Sequence, residues 1–537
     1  MFNIFFMSNY WYNDYFGSYL SISDIIRGGN LLSVLEMFYY QIFQPLDLLF
    51  FLDFILLILL VKGCKFYSFQ DKRVLGKKLP LFLLLILLLF QVFLSNYILG
   101  WYSPYELYQM DSGGFANVYG LAPLYLYDLH QEVNSRKQDQ VFKEEINRPS
   151  LLQKEELNSN KLGKELNVIV IQVESLDRDI IDYKYNGLEI TPFLNNLKEK
   201  SLYVENFYAQ HLNGTFDADF SLLTSLYPVK KRYVFNENDM SSFNSLVRIL
   251  KEKGYTTAAF HGNQKTFFHR DQAFPDLGFD KFYGLSDYNR EKKEIVIRNE
   301  GMGINDYDFL AQSLDYLREL KTPFFAYMIT LSSHGPFIYY PDDSKREEIE
   351  NINNQQVKDY FHSMFFVDRS LKMFYNELEK IGILDSSIII IYGDHESGIK
   401  KEYAGESDMS NRVVDLIEHI PLIISFPGVV PEKIDRISST PDIAPTVLDL
   451  IGSKEKPEDF AGNSLFNKKE KPIFFLYDRP LVFSGRQIFE QRGENFYWLE
   501  SLDSELTENN SSYEVKLSRE REETIKEFIN YMRLIMQ

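Results

Sequence analysis

Four apolar runs in the middle of this chain end in, or lead to, a side chain that can hold a metal ion or an anion. NVIVIQV is followed by Glu174, TTAAF by His261, FFAYMITLSS by His334, and SIIIIYG by Asp394 and His395. In an open α/β sheet the loops beyond the carboxyl ends of parallel strands converge on one crevice, so these residues are expected to be neighbours in space. One histidine at a strand end is more often a satisfied structural group than a ligand, but four such positions together reverse that balance. Glu174, Asp394 and His395 form a mixed oxygen and nitrogen set suited to Mn²⁺, Mg²⁺ or Zn²⁺. Cys64 is the only cysteine, which excludes both a thiolate zinc site and an intrachain disulfide. A cation held there would neutralise phosphate oxygens and acidify a hydroxyl. The hydroxyl expected is that of Thr215 in HLNGTFDADFSLLTSLYP, where Gly214 permits a sharp turn. The following residues read as a helix whose free N–H groups favour an anion. Two plainer readings compete: a simple N-cap, and an Asn-Gly-Thr glycosylation sequon.

The elements that must position these side chains are strands of an α/β domain. NVIVIQVE, TTAAFH, PFFAYMITLSSH, SIIIIYGDH and PLIISFPG are short apolar runs separated by helix-length stretches, the pattern of buried, largely parallel strands. TPFLNNLKEK opens with Thr191 as a cap residue and Pro192 at the first helical position. After about residue 470, KPIFFLY, PLVFSG and NFYWLES predict a small antiparallel sheet, and REREETIKEFINYMRLIM a closing helix. The expected boundaries are a membrane region over 1–105, a polar, partly helical linker over 106–165, the α/β domain over 166–470, and the small sheet and helix over 471–537.

The uncharged run from Leu79 to Tyr102 is long enough, as a helix, to cross about 30 Å of hydrocarbon. An earlier run, Leu46–Val61, contains Asp47 and Asp53 and spans only if its ends reach further, which puts the two spans at about 44–62 and 79–100. Between them Lys62, Lys65, Lys72, Arg73, Lys77 and Lys78 face one acid, Asp71, so that loop is cytoplasmic and everything after Tyr102 is delivered to the opposite side. The amino terminus would then also lie outside, without a cleavable signal, so that further upstream helices are expected in the natural protein, or else MFNIFFMSNYWYNDYFGSYL and LLSVLEMFYYQIF are the remains of one. The net charge of −19 argues against a nucleic-acid partner, which would be met by clustered Lys and Arg.

In order along the chain, NVIVIQVESL, ITPFLNNL, the threonine after a glycine-bearing turn followed by SLYP, FHGNQKTFFHRD, ITLSSHGPF and IIIIYGDH resemble the lipoteichoic acid synthase family. That family lies in the sulfatase-like part of the alkaline phosphatase superfamily. The resemblance covers most of residues 30–465. It implies a mixed, mainly parallel sheet flanked by helices, preceded by transmembrane helices of which the family normally has five. It also implies a multi-pass cell-membrane protein with an extracellular phosphoglycerol transferase domain, a phosphatidylglycerol-type lipid donor and a glycolipid or polyglycerolphosphate acceptor. Carried over residue by residue, Glu174, Thr215, Asp394 and His395 would hold one divalent cation, Mn²⁺ before Mg²⁺ or Zn²⁺. Thr215 would also be the nucleophile, passing through a phosphothreonine, and His261, Arg270 and His334 would hold substrate. Two positions depart from the family pattern: Gly214 stands where lysine is common, and Phe268 where a tryptophan is expected. Neither Cys-X-Pro-X-Arg nor Ser-X-Pro-X-Arg occurs, which disfavours sulfate ester hydrolysis. The rivals are a phosphoethanolamine transferase or related phosphohydrolase and, from another class, a non-catalytic envelope scaffold.

Overall fold

The computed structural model describes residues 166–536 apart from 231, 293, 298–302, 404–416, 469, 478, 494, 503–512 and 515–516, with short pieces within 8–10, 115–129 and 149–162. The spans expected at 44–62 and 79–100 lie outside the described residues, as does most of the linker. Among the described residues no helix is long and apolar enough to cross a membrane. The chain divides into two compact units, 1–145 and 146–537. In the first, Phe115, Tyr119 and Leu124 bury together, and Tyr125 Oη donates to Asn9 Oδ1 at 3.0 Å.

In the second unit the Val- and Ile-rich runs pair because β-branched side chains pack well on a pleated surface covered on both faces. The strands are β1 (Asn167–Val173), β2 (Leu202–Val204), β3 (Thr256–His261), β4 (Lys281–Tyr283), β5 (Phe324–Ile329), β6 (Ser387–Gly393), β7 (Leu422–Ser425) and β8 (Glu432–Ile434). Their spatial order is β8-β2-β7-β6-β1-β5-β3-β4. β6, β1, β5, β3 and β4 are parallel in succession, and β2 and β8 are parallel to each other. β7 is antiparallel to both neighbours and so runs against the rest. The apolar run PLIISFPG gives no hint of this, because a strand buried on both faces reads alike in either direction.

Alternate residues of β1 enter two cores. Val168 and Val170 join the layer of α2 (Phe216–Thr224), α3 (Arg270–Leu277) and α6 (Ile443–Leu450), whereas Ile169, Ile171 and Val173 join that of α1 (Pro192–Lys198), α4 (Asp306–Glu319) and α5 (Gln355–Lys380). Pro192 opens α1 as expected, but Thr191 does not cap it: its hydroxyl donates to Ile180 O at 3.1 Å. Asp368, on α5, takes the Phe193 and Leu194 N–H groups instead, each at 2.9 Å. The C-terminal part is an antiparallel sheet of β9 (Ile473–Phe475), β10 (Leu481–Ser484), β11 (Gln487–Arg492), β12 (Asn495–Ser501) and β13 (Tyr513–Glu514). The closing helix α7 (Arg519–Ile535) packs on it through Phe528, whose ring lies 4.4 Å from that of Phe474.

Candidate active site

The parallel strands place their following residues on one edge of the sheet. Glu174 follows β1, Asp394 and His395 follow β6, and His261 is the last residue of β3. His334 lies five residues beyond the end of β5 rather than at its tip, because the strand stops at Ile329. The intervening loop turns back: Glu174 N donates to Thr330 Oγ1 at 3.0 Å and Ser333 Oγ donates to Glu174 O at 2.5 Å. Asp306 fixes the same loop by accepting the Leu331 and Ser332 N–H groups at 2.7 and 3.0 Å.

Glu174, Asp394 and His395 each offer one ligand atom, and these atoms lie within 4.8 Å of one another. His395 Nε2 is 3.0 Å from Glu174 Oε1 and 3.7 Å from Asp394 Oδ2. Asp394 Oδ1 accepts the N–H groups of Ser175 and His395 at 2.9 and 2.8 Å, while its Oδ2 is buried without a partner. Burial and the adjacent Glu174 push the Asp394 carboxyl well above the usual carboxylate range. Burial raises Glu174 as well, but His334 and His395 outweigh it and hold that carboxyl low. Burial disfavours a charged His395, yet Asp394 and Glu174 raise its imidazole well above its ordinary value. Two buried carboxylates around one imidazole, with one oxygen unsatisfied, fit a divalent cation taking oxygen and nitrogen donors. The other ring nitrogen of His395 lies 2.7 Å from Glu396 O, the outer contact that orients a ligating imidazole.

Thr215 opens α2, and its hydroxyl makes no capping bond. Asp217 does that work for the loop, accepting the Leu212 and Asn213 N–H groups at 2.8 and 2.6 Å, so the simple N-cap reading fails. Gly214 has φ +156°, and a Cβ there would meet the Phe216 ring at 3.1 Å. A side chain at this position would require the Phe216 ring to give by a few tenths of an ångström. No hydrogen bond joins Thr215 to the three clustered ligands. What draws its loop to them is His211, whose ring stacks on that of His395 at 4.3 Å.

Arg270 is fully buried, although it is charged and sits at the start of α3. Its Nε donates to Asp219 Oδ2 at 2.7 Å, leaving Nη2 buried without a partner. Asp219 Oδ1 is in turn 2.9 Å from Tyr327 Oη, and Tyr327 and Tyr392 both meet Gln172 Oε1. Phe268, at the position where tryptophan was expected, lies 5.4 Å from the guanidinium carbon. Phe268 and His269 both hold left-handed backbone angles, φ +55° and +56°, the kind of local strain that gathers at functional sites. His261 Nδ1 is 3.2 Å from Ile329 O; since a carbonyl only accepts, Nδ1 carries the proton and Nε2 presents a buried lone pair without a partner. Burial and Arg270 push this imidazole down to about 3, so it is neutral. His334 Nδ1 lies 2.7 Å from Gly335 O.

Sequence reasoning did not single out His211, Glu418 or Asp219. His211 and Asp219 flank Thr215 by four residues on either side, a proximity that was available as a signal. Glu418 gave none.

The chain matches the Sulfatase family model over residues 166–453 and the lipoteichoic acid synthase N-terminal domain model over 1–141. It is 30% identical over 485 residues to lipoteichoic acid synthase 2 of Bacillus subtilis, covering 87% of this chain and 73% of that protein. It belongs to the lipoteichoic acid synthase family. A second member, the lipoteichoic acid synthase of Staphylococcus saprophyticus, is 31% identical over 495 residues, covering 86% and 73%. The crystal structure of the lipoteichoic acid synthase LtaP from Listeria monocytogenes superposes with a TM-score of 0.60 at 25% identity, covering 72% of this chain and 96% of that one. An alkaline phosphatase superfamily protein from Vibrio parahaemolyticus shares the fold, with a TM-score of 0.59 at 20% identity over 75% and 94% of the two chains. The family assignment fits the fold: a sulfatase-like mixed α/β sheet, mainly parallel, with a small antiparallel sheet after it.

Proposed function

We propose that this protein is a membrane-anchored phosphoglycerol transferase that moves glycerophosphate from a phosphatidylglycerol-type lipid to a glycolipid or polyglycerolphosphate acceptor. The observation that carries the reading is the convergence of Glu174, Asp394 and His395 from two adjacent parallel strands, with Asp394 Oδ2 left unsatisfied. These three, with Thr215, would hold one divalent cation, Mn²⁺ before Mg²⁺ or Zn²⁺, which when bound supplies charge neutralisation for the phosphate and for the nucleophile. Thr215 attacks phosphorus, the bond to the diacylglycerol oxygen breaks, and a phosphothreonine carries the phosphoglycerol until an acceptor hydroxyl takes it. Arg270 Nη2, an unpartnered cationic donor, suits a phosphate oxygen. His261, neutral with its lone pair free, suits a glycerol hydroxyl that donates to it. His334 completes the substrate side. In the same reading residues 1–105 are the multi-pass membrane region, 106–165 the linker, 166–470 the catalytic domain outside the membrane and 471–537 its small sheet and helix. Confinement to the membrane raises the local concentration of a lipid donor.

The test is to incubate the full chain in detergent with Mn²⁺ and phosphatidylglycerol and search for a phosphoglycerol adduct by mass spectrometry. The adduct is expected on Thr215, and Thr215→Ala should abolish both adduct and transfer while leaving the melting temperature within a few degrees. An adduct on another residue, or one formed equally well from phosphatidylethanolamine, would refute the reading.

A further inference from the structure

We propose that Asp219 and Tyr327 are positioning residues: they fix the plane of the buried Arg270 guanidinium so that Nη2 faces the phosphate attacked by Thr215. The inference rests on the phosphoglycerol-transfer reading and deepens it, because it names what aims the cationic donor of that reading.

Helix α2 ties the two groups together. Thr215 stands at its start, and Asp219 follows four residues later, one turn on along the same face. Asp219 Oδ2 accepts Arg270 Nε–H at 2.7 Å, and with side-chain exposures of 0% and 1% the pair is shut off from water. A guanidinium is planar, so a bond at Nε sets the direction of its Nη atoms. The Phe268 ring beside the guanidinium also lies 3.6 Å from where a Cβ at Gly214 would stand. Arg270 is therefore one ring away from the turn that precedes Thr215. His261 lies within the field of the same guanidinium, which helps to push its imidazole down.

Tyr327 completes the frame. Its Oη donates to Asp219 Oδ1 at 2.9 Å, so both carboxylate oxygens are engaged and the carboxylate is held from turning. Behind it, Tyr392 Oη is 3.3 Å from Tyr327 Oη, and Gln172 Oε1 meets both phenols. Gln172 lies on β1 two residues before Glu174, Tyr392 on β6 two residues before Asp394, and Tyr327 on the neighbouring β5. The strands that deliver two of the clustered ligands thus also anchor the guanidinium, and the cation side and phosphate side of the site share one frame. His211 belongs to the cation side: it stacks on His395 and meets Glu418 at 3.0 Å, a residue brought to this edge because β7 runs against its neighbours.

A buried ion pair is by itself weak evidence for stability, since apolar residues of similar volume often serve a fold as well. This pair is dehydrated yet stops short of saturation: Asp219 is filled, while Arg270 keeps Nη2 buried without a partner. A cationic donor held rigid and left open suits an anion that arrives with the substrate.

The test is a double-mutant cycle on the full chain with Mn²⁺. It is read as kcat/KM for transfer from phosphatidylglycerol and as the dissociation constant of glycerophosphate by calorimetry. Tyr327→Phe removes one hydroxyl. It should weaken both quantities about tenfold while Arg270 is present, and less than about twofold in an Arg270→Gln background, where there is no guanidinium to aim. Asp219→Asn keeps an oxygen for Nε but loses the charge; it should show the same dependence at larger size, and it serves the cycle if Tyr327→Phe does not fold. Arg270→Lys, whose amine has no second nitrogen to present, is the background if Arg270→Gln does not fold. Equal losses in the two backgrounds would mark a structural role and overturn the inference, as would unchanged kcat/KM and affinity in Tyr327→Phe. A wild-type chain that binds glycerophosphate but transfers nothing would defeat the transferase reading, and the binding cycle then decides the inference alone. A wild-type chain that does neither would defeat both.

Discussion

Two buried carboxylates near the same edge of the sheet have opposite surroundings. Asp177, just beyond β1, accepts Ser397 N at 2.5 Å, Ser397 Oγ at 2.6 Å and Tyr403 Oη at 2.6 Å, so both of its oxygens are satisfied. Asp394, just beyond β6, has one oxygen satisfied by two N–H groups and the other facing Glu174 and His395 with no donor of its own. Burial drives both carboxyls upward, so the direction of the shift does not distinguish them. The count of partners does. A carboxylate saturated by the chain's own donors holds the fold together, and one left half-saturated at zero exposure has an oxygen open to a further partner. His261 Nε2 and Arg270 Nη2, both buried without partners, fall on the second side.

Exchanging each acid for its amide should break this contrast most visibly. Asp394→Asn keeps an oxygen for Ser175 and His395 and turns an N–H toward Glu174. Transfer should therefore fall by about 10³-fold or more and Mn²⁺ binding should be lost, with an apo melting temperature equal to or above that of the wild type. Asp177→Asn turns an NH₂ against hydroxyl donors and should cost about 1–3 kcal/mol in denaturant unfolding while Mn²⁺ binding persists. If Asp177→Asn were the more stable apo protein, the contrast would be wrong. Chelation sharpens it next. Removing the cation from wild type held at about 100 times its dissociation constant should cost about 2.7 kcal/mol of stability, whereas Asp394→Asn should show no response to chelator.

A pH-dependent effect concerns Asp368, an intermediate case in which both oxygens are satisfied by N–H groups of α1. Burial pushes its carboxyl up to about 7 despite those bonds. An acid raised above its unfolded value binds its proton more tightly in the folded chain. Its contribution is therefore full below about pH 4 and is lost as pH rises toward 7. Asp368→Asn should flatten the fall in stability between about pH 5 and 7 by at most about 1.4 kcal/mol per pH unit, read from urea unfolding across that range. An unchanged slope would assign the pH dependence elsewhere.

Much of the candidate site's placement was legible in the sequence. Glu174, His261 and Asp394 follow from apolar runs that can only be buried strands, and a parallel sheet brings strand ends together whatever loops intervene. Helix α1 was legible from Pro192, yet its cap was not, because Asp368 is supplied by a helix far along the chain. His334 was expected at a strand tip that lies five residues earlier, since β5 stops where the loop turns back to Glu174. Glu418 was invisible, for its value depends on the direction of β7.

By itself the sequence determined the strands, the order of the ligand-bearing ends and the donor chemistry on offer, because periodicity and residue type are local properties. Tertiary structure alone decided which buried polar atoms are satisfied and which are left over, and which way the short strand β7 runs. Both depend on partners hundreds of residues apart, as with Arg178 N on His419 O or Ser175 N on Asp394, and no local pattern of residue types records such a pairing.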